Sequence, residues 1–226
     1  MRVIFNEELK AVADDLDHMV KGVRKAINGA GDALLNQNLE AAQAVIDGDI
    51  EIDALEASVV DQCVKLLAKQ NPVATDLRVV VSTMRLATTF ERMGDLARHI
   101  AEAARRTYPA SPLPAEAQPL FAEMQAFLND VADQTVAMLS DRDTKTAEQI
   151  IINDDKLDEL HKKTFELAQS ENWAGTNQQL IDVVLTGRFM ERLGDHAVSA
   201  ARRVVYIVSG FDPSKEPARD EDTDIA

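Results

Sequence analysis

One cysteine, Cys63, occurs in 226 residues, so no intramolecular disulfide can form and a reducing compartment suits the chain. Cys63 falls in an apolar helical pattern and reads as a core residue. Aromatics make up 4% of the chain and glycine is sparse, while Ala, Leu, Val, Asp and Glu dominate; that balance favours helix over sheet. The chain has no run of about 18 apolar residues, which excludes a membrane-spanning helix. Met1-Arg2-Val3-Ile4-Phe5-Asn6 has no signal-peptide layout, so the expected location is cytoplasmic. Basic charge is also short. A formal net charge of -15 argues against binding nucleic acid through its phosphates, and suits a cation or a partner with a basic surface. A phosphate-cradling glycine loop, a nucleophile elbow and the Glu-x-x-His pair of ferritin-like di-iron sites are all missing.

What the chain does have is one stretch written twice. Phe90-Glu91-Arg92-Met93-Gly94-Asp95 returns as Met190-Glu191-Arg192-Leu193-Gly194-Asp195, a shift of 100. A shift of 105 places Gly48, Asp49, Asp53 and Leu55 on Asn153, Asp154, Asp158 and Leu160. Gly48 and Asn153 are both residues that tolerate the left-handed conformation ending a helix. The spacing predicts a pseudo-symmetric all-α protein of two tandem helical bundles side by side. The expected parts are residues 1–108, a Pro-rich linker at 109–119, residues 120–210 and a disordered acidic tail at 211–226.

Apolar residues recur at three- and four-residue spacing through every ordered segment. In the first half a helix is expected from Asn6 as N-cap, then a short helix over 39–47 stopped by Gly48. A third helix over 49–69 follows, and a fourth has Pro72 at its first position. In the second half the stripe from Leu120 to Met138 is followed by a short helix over 145–152 and another over 154–170. The last helix opens on a Thr176/Gln179 capping box and ends at Gly210.

Both copies of the repeated stretch set an acid four residues before another acid. On a helix such residues are neighbours, and like charges there repel by roughly 0.2–0.5 kcal/mol. Glu91 and Asp95 lie opposite the apolar stripe of Phe90, Met93, Ala97 and Ile100, and Glu191 and Asp195 repeat that placement. Asp49, Asp53 and Glu56 share a polar face on the preceding helix, matched by Asp154, Asp158 and His161. If these helices are neighbours, each half converges four carboxylates, hard oxygen ligands suited to Fe, Mn, Mg, Ca or Zn. Gly94 and Gly194 would admit another backbone or a cation's water shell. The plainer alternative is a solvated face, with Arg92 and Arg192 neutralising the acids. Asp15-x-x-His18 and Asp158-x-x-His161 read as chance echoes of the di-iron pattern, and His99 and His196 as surface residues.

The set Gly48–Glu56, Asn71-Pro72-Val73-Ala74-Thr75-Asp76-Leu77-Arg78 and the paired Glu-Arg-x-Gly-Asp resembles the PhoU family of phosphate-specific transport regulators, over Phe5 to Gly210. The resemblance implies two three-helix bundles and no catalysis. It implies iron or zinc, in multinuclear clusters in some members, on Asp49, Asp53, Glu91 and Asp95 and on Asp154, Asp158, Glu191 and Asp195. It also implies a negative regulator of the phosphate-starvation response that limits phosphate uptake. Such a regulator contacts a sensor histidine kinase and the ATP-binding subunit of the phosphate transporter, here as a cytosolic homodimer. The competing readings are a carboxylate-bridged metalloenzyme and a metal buffer. Glu102 becomes Arg202 in the second half, so unequal clusters are expected, with Glu102 supporting the first and Arg202 opposing cation binding in the second.

Overall fold

The computed structural model describes residues 2–211. The tail expected at 211–226 therefore lies, past Phe211, outside the described residues. Seven helices follow in order: α1 Arg2–Asn36, α2 Leu39–Gln70, α3 Ala74–Thr107, α4 Gln118–Asp141, α5 Thr144–Ile152, α6 Asp154–Ala168 and α7 Asn177–Ser209. No strand occurs among the described residues. In the first half α1, α2 and α3 pack on one another; in the second, α4 and α7 pack with α5 and α6, which together stand where α2 does.

Several local expectations need correction. α1 starts at Arg2 rather than at an Asn6 cap. Gly48 does not stop a helix. The buried stripe Ala42, Val45, Asp49, Ile52, Val59 runs through it, and burying that stripe outweighs the local cost of one glycine. Asn71, not Pro72, makes the helix boundary there: it closes α2 in the left-handed conformation (φ 47°, ψ 53°), leaving Pro72 and an extended Val73 as the connection. In the second half the break at Asn153 does form, but its φ of -85° is not left-handed. Asn is a poor interior helix residue, and Asp154 and Asp155 favour a first turn. The capping box at Thr176 and Gln179 and the left-handed Gly210 (φ 77°) are as expected.

The segment between α3 and α4 is pinned to the second half. Leu113 and Ala117 are buried. The Ser111 carbonyl accepts from Gln179 (3.4 Å), and Glu116 accepts from the Ala174 N–H (3.1 Å). Cys63, Phe90, Met93, Met190 and Leu193 are all core, as their stripes required. Each fully buried side chain of that size contributes about 1.5–3 kcal/mol.

The halves join first helix to first and third to third, both antiparallel. Between α1 and α4, Ser140 donates to Asp17 (3.0 Å), Arg24 pairs with Asp133 (3.3 Å), and Gln125 donates to the Ile27 carbonyl (3.1 Å). Between α3 and α7, Arg78 reaches the Ile207 carbonyl (3.2 Å) and lies over the Tyr206 ring. At the other end Arg106 binds the buried Asp182, which Gln178 also contacts. Positions 78 with 206 and 178 with 106 exchange under the shift of 100, as a pseudo-twofold axis demands.

Two glycines test this packing in opposite directions. A Cβ at Gly48 meets nothing within 4 Å, whereas one at Gly31 runs into Gln125 at the α1–α4 contact. Gly48→Ala should stabilise the protein by about 0.5–1 kcal/mol. Gly31→Ala should cost about 1–3 kcal/mol as the interface is forced apart. Denaturant midpoints measure both, and a loss of stability in Gly48→Ala would contradict the continuous α2.

Candidate functional site

The acidic motifs sit at the seam where the third helix of each half meets the helix before it. Glycine makes that seam close. A Cβ at Gly94 would lie 3.1 Å from Ile52 Cδ1 and 3.3 Å from Asp49 Oδ1; at Gly194 it would lie 2.6 Å from Leu157 Cδ2. The two glycines therefore admit a side chain of the neighbouring helix, not a backbone or a water shell. The close approach also buries acids that sequence spacing placed away from the core: Asp49 is 7% exposed and Glu191 9%.

In the first half four of the acids are ion-paired with two arginines. Arg98 sits among three carboxylates: Asp49 at 2.6 Å from Nε, Asp95 at 2.8 Å from Nη2 and Glu102 at 2.9 Å from Nη1. The Nε contact is an ion pair off the N–H direction, without hydrogen-bond geometry. Arg92 adds contacts to Asp95 (3.1 Å) and Glu91 (3.4 Å). Burial pushes the Asp49 carboxyl up, against the pull of Arg98. For Asp95 burial also raises the pKa, but hydrogen bonding and charge from Arg98 more than offset it and the net direction is down. Glu102 is likewise held low, burial being outweighed by His99 and Arg98. It supports the arginine rather than a cation. Asp53 is exposed, and Glu56 accepts from Thr88 (3.1 Å).

The second half differs. Asp158 on α6 and Glu191 and Asp195 on α7 each offer a carboxylate oxygen, all within 4.8 Å of one another. It is the one such group of three among the described residues. Arg188 clasps Glu191 from one side (2.5 and 2.6 Å), and its own side chain is 52% exposed. Burial, then Asp195 and Asp158, raise the Glu191 pKa despite Arg188. Burial, then Asp158 and Asp195, also raise that of Asp154, which stands beside the trio rather than in it. His161 has a buried Nε2 with no hydrogen-bond partner. Burial and Arg188 lower its pKa, so the imidazole is neutral at pH 7.

As a donor set, Asp158, Glu191 and Asp195 with a neutral imidazole nearby fit a hard or borderline cation. Asp49, Asp53, Glu91 and Asp95 do not, because Arg98 and Arg92 hold oxygens of Asp49, Glu91 and Asp95, and Asp53 alone is left unpaired and exposed. Arg98 and Arg188 were not legible as site residues. They stand outside the repeated hexapeptide and have no counterpart in the other half, where Val198 and Thr88 take their places. Arg192, expected as a neutralising partner, is exposed.

The PhoU domain model matches residues 16–104 and again 121–204. The chain belongs to the PhoU domain family. It is 36% identical to the phosphate-specific transport system accessory protein PhoU homolog 1 of Mycobacterium leprae, over 96% of this chain and 97% of that protein. Homolog 2 of Mycobacterium bovis is also 36% identical, over 94% of this chain and 100% of its own length. The crystal structure of PhoU from Pseudomonas aeruginosa superposes with a TM-score of 0.82 at 25% identity, covering 92% of this chain and all of that one. PhoU relatives are thus named as accessory proteins, not enzymes. The two PhoU matches fall within α1–α3 and α4–α7.

The raised carboxyl in the second cluster has a consequence for the metal-free protein. Glu191 sits above its ordinary 4.5, so its ionisation opposes folding above that range. The penalty is absent below the unfolded value and complete once pH exceeds the folded one. Glu191→Gln, measured in chelator, should therefore raise the melting temperature near pH 7 by about 2–4 °C. The gain should shrink to nothing as pH falls through the carboxylate range. A pH-independent gain, or a loss at pH 7, would refute this assignment.

Proposed function

We propose that this chain restrains the phosphate-starvation response and limits phosphate uptake. It acts in the cytoplasm as an adaptor between the ATP-binding subunit of a phosphate transporter and a sensor histidine kinase, and works as a homodimer. The observation that carries this reading is the PhoU match in both halves, together with relatives named as phosphate-specific transport system accessory proteins along nearly the whole chain. No helix among the described residues is long and apolar enough to cross a membrane.

Asp158, Glu191 and Asp195 are the proposed ligands of a transition metal, iron or zinc, with His161 as a neighbouring donor. Such a cation would neutralise like charges contributed by α6 and α7 and so hold those two helices together. The protein's own residues do the rest. Leu157 packs under Gly194 to set the helix spacing, and Arg188 keeps Glu191 ionised and oriented. An enzyme built on carboxylate-bridged metals is less well supported, since the relatives are named for an accessory role.

Two measurements test this. Protein purified without chelator or nickel should carry metal, and adding metal at 100 times its Kd should stabilise it by about 2.7 kcal/mol. An unchanged melting temperature and negligible metal content would remove the metal from the proposal. In cells, Glu191→Gln with Asp195→Asn should switch on phosphate-starvation genes at ample phosphate. Normal repression at wild-type abundance would count against this cluster as the regulatory site.

A further inference from the structure

We propose that Arg98 is a built-in cation: its guanidinium permanently fills the first acidic seam, leaving that half independent of metal and its carboxylates a latent site. Three observations carry this. Arg98 contacts carboxylates from two helices, Asp49 on α2 and Asp95 and Glu102 on α3, all within 2.9 Å. Asp49 is nine-tenths buried, so a positive charge must stay beside it. In the repeat register the second half has Val198 where Arg98 stands. Arg202, where Glu102 stands, lies near enough to Asp154 to oppose the burial-driven rise in its pKa but forms no ion pair with it, so no guanidinium spans the carboxylates of that seam as Arg98 does.

Arginine suits this role because it stays charged at every accessible pH and its planar fork reaches several carboxylates at once. A metal cannot enter by displacing a proton. It would have to expel the guanidinium from three partners and leave it partly buried, since the Arg98 side chain is only 27% exposed. Arg188 in the second half is placed differently. It grips Glu191 from outside and leaves Asp158 and Asp195 open. Each half thus buries an acid at its seam, Asp49 in the first and Glu191 in the second, and meets it differently: with one arginine spanning three carboxylates, or with one arginine on a single carboxylate beside two exposed acids.

The test uses the full chain with the second cluster disabled by Glu191→Gln and Asp195→Asn throughout, so its outcome does not depend on the metal proposed there. Equilibrium dialysis against Mn2+, with Zn2+ in parallel, is read by metal analysis and thermal melting. With Arg98 intact, this protein should hold no metal above the dialysis blank. Adding Arg98→Val, the residue the repeat itself places at 198, should lower the metal-free melting temperature by about 5 °C. The same variant should gain about one Mn2+ per chain, and metal should restore most of the lost stability. Further change of Asp49 and Asp95 to Asn should abolish the gain. Arg98→Lys serves if Arg98→Val does not fold. One ammonium cannot span three carboxylates as the fork does, so that variant should melt lower than its parent and still exclude Mn2+. The proposal is overturned if the Arg98 protein binds metal stoichiometrically in a manner that Asp49→Asn abolishes. It is equally overturned if folded Arg98→Val takes up no metal, or if Arg98→Lys melts like its parent. Failure of wild-type protein to retain metal, with these results as expected, would count only against the second-cluster metal.

Discussion

Carboxylates buried where two helices touch are the constraint to which the rest of this structure answers. Glycine at 94 and 194 draws the second and third helices of each half together, until Asp49 in one and Glu191 in the other lose most of their water. A buried acid without a counter-charge costs far more than the few tenths of a kcal/mol of like-charge repulsion on a helix surface. Each half must therefore supply positive charge at the seam. In the first half the charge is Arg98, backed by Glu102 and Arg92. In the second, Arg188 holds Glu191 alone, and Asp158 and Asp195 stand exposed beside it.

The seam is also tied to the join between the halves. Glu102 binds Arg98 and His99, and the His99 ring packs on Phe189 of α7 at 5.4 Å. One residue before Phe189 on α7 is Arg188, the clasp on Glu191. The His99–Phe189 contact thus brings the two acidic seams to neighbouring positions along α7. The ends of that pair are fixed by Arg78 on Tyr206 and Arg106 on Asp182.

The architecture was legible because it rests on periodicity and repetition, which a one-dimensional pattern records. Phe90, Met93, Met190 and Leu193 are buried where their spacing placed them, and Thr176 and Gly210 make the caps their chemistry favours. Local breaks were less legible. Gly48 looked like a stop, yet the stripe from Val45 to Ile52 carries α2 through it, because tertiary burial outweighs propensity. The acids Asp158, Glu191 and Asp195 could be read from their repeat positions. Their unequal fate could not, because Arg98 and Arg188 fall at unrelated positions in the two halves, and only the fold shows which oxygens each one reaches. Arg192 and Arg92 look equivalent in sequence, but only Arg92 pairs with the acids of its own motif.

The exchange of positions 78 and 206 with 178 and 106 points beyond packing. A half-length chain carrying an arginine at the first of these positions and a partner for it at the second would have a self-complementary surface. It would assemble as a symmetric pair, making the same contact twice. Joined in one polypeptide, the two copies need no longer be identical. One end keeps arginine on tyrosine; the other has glutamine in place of that arginine and a different arginine in place of the tyrosine, and both contact an aspartate on α7. Fusion thereby releases the halves from having to change in step, so that one can settle into scaffolding while its twin retains an exposed, responsive surface.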